Sequence, residues 1–244
     1  MLELTNEVKE DIIKQTRDEF PNEACGLLLD INNEQKYYAC TNVADDPKEY
    51  FRIRSEDNAV AEDIGEVLAV VHSHPIDTCK ASDADIYQCN KADIPWVIIG
   101  YPNIQFNIIY PTSKPMPLIG RKFSHGVLDC YTLIRDYYDQ ILNITLPDYP
   151  RDNDWWDKGE NLYLDNFASA GFTDMGQFAE IQEHDVLLLC IKSKVPNHAS
   201  IYLGDEKIIH HMQDRLSGET VFGGYWQKNM NTVLRHKRFL DGSN

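Results

Sequence analysis

Two groups of residues in this chain have the types and spacing for hydrolysis. Glu23, His72, His74 and Asp85 form the first, and Cys130, His198 and His210 form the second. His72 and His74 stand two apart at the end of an apolar run, so on a strand both side chains leave one face and reach one ion. Asp85, arriving from a following helix, supplies a third ligand. Two imidazoles, a carboxylate and a water make the open tetrahedral site of a hydrolytic zinc, in which the pKa of the water falls to about 7. Glu23 is the candidate base for that water's proton. Each residue also has a plainer reading. Paired histidines occur as simple polar residues at strand ends, and a lone glutamate before a strand is commonly solvated. Ser82-Asp83-Ala84-Asp85 fits a helix capping box, and on that reading an Asp85 that binds metal is unavailable to cap.

In the second group, a nucleophilic cysteine works best at a helix N-terminus, where the dipole favours thiolate, and Cys130 stands where a helix over 128–142 begins. His198 is the candidate base, and His210, one hairpin later, would fix its ring. His211 falls on the opposite face by alternation. Cys190, inside an apolar run, reads as an inert core thiol. By count alone, a cysteine and two histidines spread over about 80 residues carry little.

These residues need elements to position them. Val8, Ile12, Ile13 and Phe20 recur at helical spacing, with Thr5 as cap and Pro21 as stop. Apolar or alternating runs at 25–29, 36–40, 67–71, 96–99 and 106–110 predict strands, with helices over 55–66 and 82–91 between them. The strand that follows Glu23 is expected beside the strand that ends in His72. Residues 111–122 hold Pro111, Pro115 and Pro117, a density no regular element tolerates, so a short stiff linker is expected there. Beyond it come the 128–142 helix, a polar and aromatic loop over 147–160, and a short helix over 165–170. Strands at 185–191, 199–203, 207–211 and 232–235 follow, with a tight turn at Gly204-Asp205-Glu206. No internal repeat is present.

The composition narrows the function classes. A formal net charge of -16 over 244 residues argues against phosphate contacts with nucleic acid, and the one basic cluster, Arg235-His236-Lys237-Arg238, reads as a solvated tail. Six cysteines without C-x-x-C spacing suit free thiols in a reducing compartment. The first residues carry no basic and apolar leader, and no stretch approaches the ~18 apolar residues of a membrane helix. The expected location is the cytoplasm, without membrane insertion.

Taken jointly, Glu23, His72-Ser73-His74, Ser82 and Asp85 resemble the JAMM motif of the MPN-domain metallopeptidases over about residues 1–115, including Glu-Ala-Cys-Gly-Leu-Leu-Leu at 23–29. The resemblance implies a catalytic Glu23, a Ser82 that hydrogen-bonds the oxyanion, and cleavage of peptide or isopeptide bonds. Asp129-Cys130 and Asn197-His198 through His210 resemble the NlpC/P60 cysteine peptidases over about residues 123–240. That resemblance implies Cys130 as nucleophile, His198 as base, His210 as third polar residue, and peptidoglycan stem peptides as substrate. Where that family has a small Ser-Gly pair after the cysteine, this chain has Tyr131-Thr132, so a narrower cleft is expected. The two in this order resemble the tail-tip assembly proteins of lambda-like long-tailed phages, which implies other tail-tip proteins as partners, assembly in the host cytoplasm and the virion tail tip as a destination. The expected architecture is therefore two domains, an α/β JAMM/MPN-like domain over 1–113 and, after a linker at 114–122, a papain-like NlpC/P60 α+β domain over 123–244. Two rival readings are a bacterial two-domain peptidase acting on cell wall or a sulfur-carrier-like protein, and a structural tail component with vestigial sites.

Overall fold

The computed structural model describes residues 1–76 and 78–240, so the last four residues of the second expected domain lie outside the described residues. The chain divides into two compact units, Met1–Lys114 and Pro115–Asn244.

The first unit runs α1 (Asn6–Glu19), β1 (Cys25–Ile31), β2 (Glu34–Cys40), α2 (Ser55–Ile64), β3 (Glu66–His74), α3 (Asp83–Ala92), β4 (Trp96–Gly100) and β5 (Gln105–Ile109). Its sheet has the order β2-β1-β3-β4-β5, with β3 and β4 parallel and the other neighbours antiparallel. Helices lie on both faces, as a mixed sheet buried on two sides requires. Thr5 caps α1 by accepting from the Val8 amide at 3.3 Å, and Val8 and Ile12 pack with Leu28, Ala69, Val71, Val97 and Ile99 on one face. Ala61 of α2 and Cys89 of α3 pack with Cys25, Leu27, Leu29 and Val70 on the other. Each such fully buried aliphatic side chain contributes roughly 1.5–3 kcal/mol.

Helix α2 ends at Ile64, short of the expected residue 66, because Gly65 passes hard against the end of β1. A Cβ there would meet the Asp30 carbonyl oxygen at 2.6 Å. The expected neighbour relation of β1 and β3 holds, with Cys25 opposite His72.

The second unit contains α4 (Cys130–Leu142), α5 (Leu162–Asn166), β6 (Phe172–Gly176), β7 (Val186–Leu189), β8 (His198–Gly204), β9 (Lys207–His210), β10 (Gly218–Val221), α6 (Tyr225–Asn229) and β11 (Met230–His236). Its antiparallel sheet has the order β10-β9-β8-β7-β11-β6. Leu133, Ile134, Tyr137 and Tyr138 of α4 pack against Val186, Leu188, Ala199, Ile201, Ile209 and Leu234. The opposite face gathers Leu187, Leu189, Ile208 and Val233 with Trp226.

Three expectations in this unit need correction. The short helix lies at 162–166 rather than 165–170, where Leu162, Tyr163 and Leu164 carry its apolar side onto or beside the α4 core. The basic cluster 235–238 is a solvated tail only in part, since Lys237 and Arg238 are exposed and the first two residues are not. Arg235 is buried and grips Asp185 with two nitrogens at 2.9 and 2.7 Å, and His236 is buried too. A paired guanidinium is cheaper to bury than a bare one, and Asp185 makes this position internal. The proline-rich stretch joins the second unit from Pro115 onward. The guanidinium of the buried Arg121 donates to the carbonyls of Met116 and Pro117 and ion-pairs with Asp136 at 2.6 Å.

Candidate metal and thiol sites

Strand pleating sends His72 and His74 out of β3 on the face covered by α2 and α3, where Asp85 sits in the first turn of α3. Among the described residues these three form the group able to hold a metal, with one donor atom from each lying within 4.8 Å of the others. The two Nε2 atoms are 3.0 Å apart, and the Asp85 oxygens lie 3.2 Å from His72 Nε2 and 3.4 Å from His74 Nε2. Lone pairs converging so closely in a buried place fit a small cation, and the donor set of two imidazoles and a carboxylate fits zinc.

Asp85 corrects the expectation that ligation and capping exclude each other. The capping box is complete, with the Ser82 amide donating to Asp85 Oδ2 at 2.7 Å and Ser82 Oγ accepting from the Asp85 amide at 3.1 Å, while both carboxylate oxygens still face the histidines. The helix start thus aims the carboxylate at the two imidazoles. Burial would raise the Asp85 pKa, yet the hydrogen bonds from His72 and His74 outweigh it and hold the carboxyl well below its usual range. Burial lowers the pKa of His72, which favours its neutral imidazole.

Surrounding groups orient the rings. His74 Nδ1 donates to the Thr78 carbonyl at 3.2 Å, leaving Nε2 free to ligate. His72 stacks on Phe51 at 4.6 Å and meets Trp96 edge-on at 5.5 Å.

Glu23 is buried just before β1, with its backbone held by Pro47 and Asn42. Burial, then the charges of Asp85 and Glu49, push its pKa up to about 9. A carboxyl held this way is a proton acceptor that a nearby cation would switch on. Ser73 is a residue the sequence reading did not single out. Its Oγ accepts from the Ala24 amide at 2.8 Å and its amide donates to the Ala24 carbonyl at 2.9 Å, pinning the Glu23 segment to the strand of the two histidines. Its position between them, on the opposite strand face, was the available signal.

In the second unit Asp129 is the N-cap of α4, accepting from the Thr132 amide at 2.9 Å, so Cys130 is the helix's first residue. Its thiol lies 3.1 Å from the Tyr163 hydroxyl, and it meets β8 at the amide of Ala199, next to His198. Among the described residues no hydrogen bond joins Cys130 to His198, and none joins His198 to His210, whose rings adjoin edge to face at 5.5 Å under Trp226.

The expectation of a helix-stabilised thiolate fails here. Burial, then the Asp129 carboxylate, push the thiol pKa up to about 11 against the lowering effects of Tyr163, the Ala199 amide and Arg151. Burial and the neighbouring His210 and His211 bring His198 down to about 3, and burial, Arg215 and His211 bring His210 down to about 4. Thiol and imidazoles are therefore all neutral at rest, which suits general-base transfer during attack rather than a preformed ion pair.

Tyr163 was missed because it lies 33 positions from Cys130 in a stretch with no motif. Beside it an apolar pocket is lined by Tyr131, Tyr149, Trp155, Leu162 and Phe167 among others. Tyr131 is buried there, with its hydroxyl donating to the Pro147 carbonyl at 2.8 Å.

Comparison with known proteins adds to this geometry. Residues 5–109 match the prokaryotic homologs of the JAB domain, and residues 120–235 match the NlpC/P60 family. The tail tip assembly protein K of Escherichia phage N15 is 36% identical over 230 residues, covering 93% of this chain and 93% of that protein. This chain belongs to the tail tip assembly protein K family. Protein K of Escherichia phage lambda is 41% identical over 182 residues, covering 75% of this chain and 88% of that protein. Among solved structures, a JAB1/MPN domain protein from Archaeoglobus fulgidus is similar at 16% identity and a TM-score of 0.31, covering 46% of this chain and 89% of that one. Both domains of this family member thus belong to peptidase families, and among the described residues no helix is long and apolar enough to cross a membrane.

Proposed function

We propose that this family member builds the phage tail tip and carries two peptidase activities, a zinc-dependent (iso)peptidase in the first unit and a cysteine endopeptidase for peptidoglycan stem peptides in the second. The observation that carries the reading is that each matched domain gathers its own reactive set, with the His72, His74 and Asp85 donors within 4.8 Å of one another and Cys130 at the first position of α4.

Zinc held by His72, His74 and Asp85 would supply Lewis acidity and acidify a water at its open position. Glu23 takes a proton from the attacking water and returns it to the leaving amine. The Ser82 hydroxyl, whose oxygen accepts from the Asp85 amide, keeps its own proton to donate to the developing oxyanion.

In the thiol site, Cys130 Sγ attacks the acyl carbon as its proton passes to His198. The imidazolium then protonates the leaving amine, and water hydrolyses the acyl-enzyme with His198 again as base. His210 steadies the imidazole, and Tyr163 holds the thiol.

Partners under this proposal are other tail-tip proteins and the stem peptide, met in the host cytoplasm during assembly and at the virion tail tip. Complementation tests the reading: phage lacking the gene should make no infective tails, and Cys130→Ala and His74→Ala proteins should each fail to restore full infectivity. Full restoration by both would leave a scaffold with vestigial sites.

A further inference from the structure

Arg151 comes from the loop before α5, and its side chain is largely covered, with its guanidinium spread over the turn that precedes Cys130. Nε donates to Asp129 Oδ2 at 2.7 Å, and Nη2 donates to Asp129 Oδ1 at 3.3 Å, to the Gly126 carbonyl at 3.2 Å and to Thr132 Oγ at 3.1 Å. Nη1 donates to Asp148 at 3.3 Å and to the Tyr149 carbonyl, and the guanidinium lies 5.0 Å over the Tyr131 ring. It therefore touches the residue before the cysteine and the two after it.

We propose that Arg151 is the positioning residue of the thiol site, locking the turn 126–132 so that Cys130 stays at the first position of α4, and cancelling the Asp129 charge beside the thiol. The inference rests on reading Cys130 as the nucleophile. A planar fork with donors in one plane suits this task because Asp129 must cap the helix and be neutralised at once. Without Arg151 a buried carboxylate would sit uncompensated next to a group that has to become an anion. The groups that face the thiol are Asp129 on its own helix start, Arg151 from the loop, Tyr163 from α5 and, past the Ala199 amide, His198 on β8.

The test is alkylation of Cys130 by iodoacetamide in the full chain, followed by mass spectrometry of the peptide that contains it, across a pH series below the thiol's midpoint. Arg151→Met should be alkylated about tenfold more slowly at each pH, the effect of about one pKa unit. Asp129→Asn combined with Arg151→Met should return the rate to within about threefold of the original, since removing the carboxylate removes the need for its partner. Arg151→Lys, which keeps the charge and loses the fork, should fall between.

A rate for Arg151→Met equal to or above that of the unaltered protein overturns the proposal, as does a double variant as slow as the single one, because mere loosening of the loop is not mended by removing a second anchor. If Arg151→Met does not fold, Arg151→Lys decides, slower alkylation supporting the proposal and an unchanged rate overturning it. The rate is read without substrate, so intact rate effects with absent peptide cleavage would reject the nucleophile reading and leave the Arg151 role standing.

Discussion

Acid should loosen the second unit through His198 and His210. Both are buried, and their pKa values lie at about 3 and about 4 in the folded chain against 6.5 when free. A histidine whose folded pKa is depressed contributes stability that is present above 6.5 and is lost as the pH falls toward the folded value. The unfolded chain takes up a proton that the folded chain refuses. At pH 5 the unfolded imidazole is favoured by about 1.5 units of pH, or about 2 kcal/mol for each histidine and about 4 for the pair. Depressed carboxyls such as Asp129 act below this window, so they do not mask the effect. Hydrogen exchange of the β7, β8 and β9 amides, converted to opening free energies at pH 7 and pH 5, reads the difference where the histidines sit. Replacing both histidines by glutamine should flatten the drop by about 4 kcal/mol relative to the unaltered protein. An equal drop in the glutamine variant would refute the reasoning, because the histidines would then be titrating freely in the fold.

His74→Ala should lose the zinc, read by elemental analysis of the purified full chain, and full retention would remove His74 from the ligand set. Glu23→Gln should keep the zinc and lose metal-dependent cleavage, and normal cleavage would reduce Glu23 to a buried spectator. Ser73→Ala leaves the Ala24 amide without its acceptor and should cost about 1–3 kcal/mol in denaturant unfolding of the first unit, a loss that an unchanged transition would disprove. Cys190→Ala should leave stem-peptide cleavage within about twofold of the original, since Cys190 follows the end of β7 rather than starting a helix and burial raises its thiol pKa.

The parts of the sites that sequence made legible are those fixed by local geometry. Two-residue spacing on a strand sends His72 and His74 one way, and the helix start that follows Ser82 carries Asp85 toward them. An aspartate before a helical run likewise marks Cys130 as a first helical residue. What stayed hidden depends on contacts between segments far apart in the chain. Arg151 lies in a stretch whose polar and aromatic composition signals a loop and Tyr163 just beyond it, and nothing local states that the guanidinium and phenol turn inward to Asp129 and Cys130. Arg235 looked solvated because its partner Asp185 is 50 positions away. Asp85 misled for a different reason: a carboxylate has two oxygens with several lone pairs, enough to cap a helix and face two imidazoles together. Among the described residues the edge strand β10 pairs only with β9 and buries no continuous apolar stripe, so periodicity had little to register.

The most direct test of the thiol peptidase at the centre of this account is a muropeptide digest with the purified full chain. Cleavage should fall at the γ-D-glutamyl to diamino-acid bond, disappear with iodoacetamide or Cys130→Ala, and persist in EDTA. Cleavage that stops with EDTA and survives alkylation, or no cleavage by the chain with Cys130 intact, would contradict it.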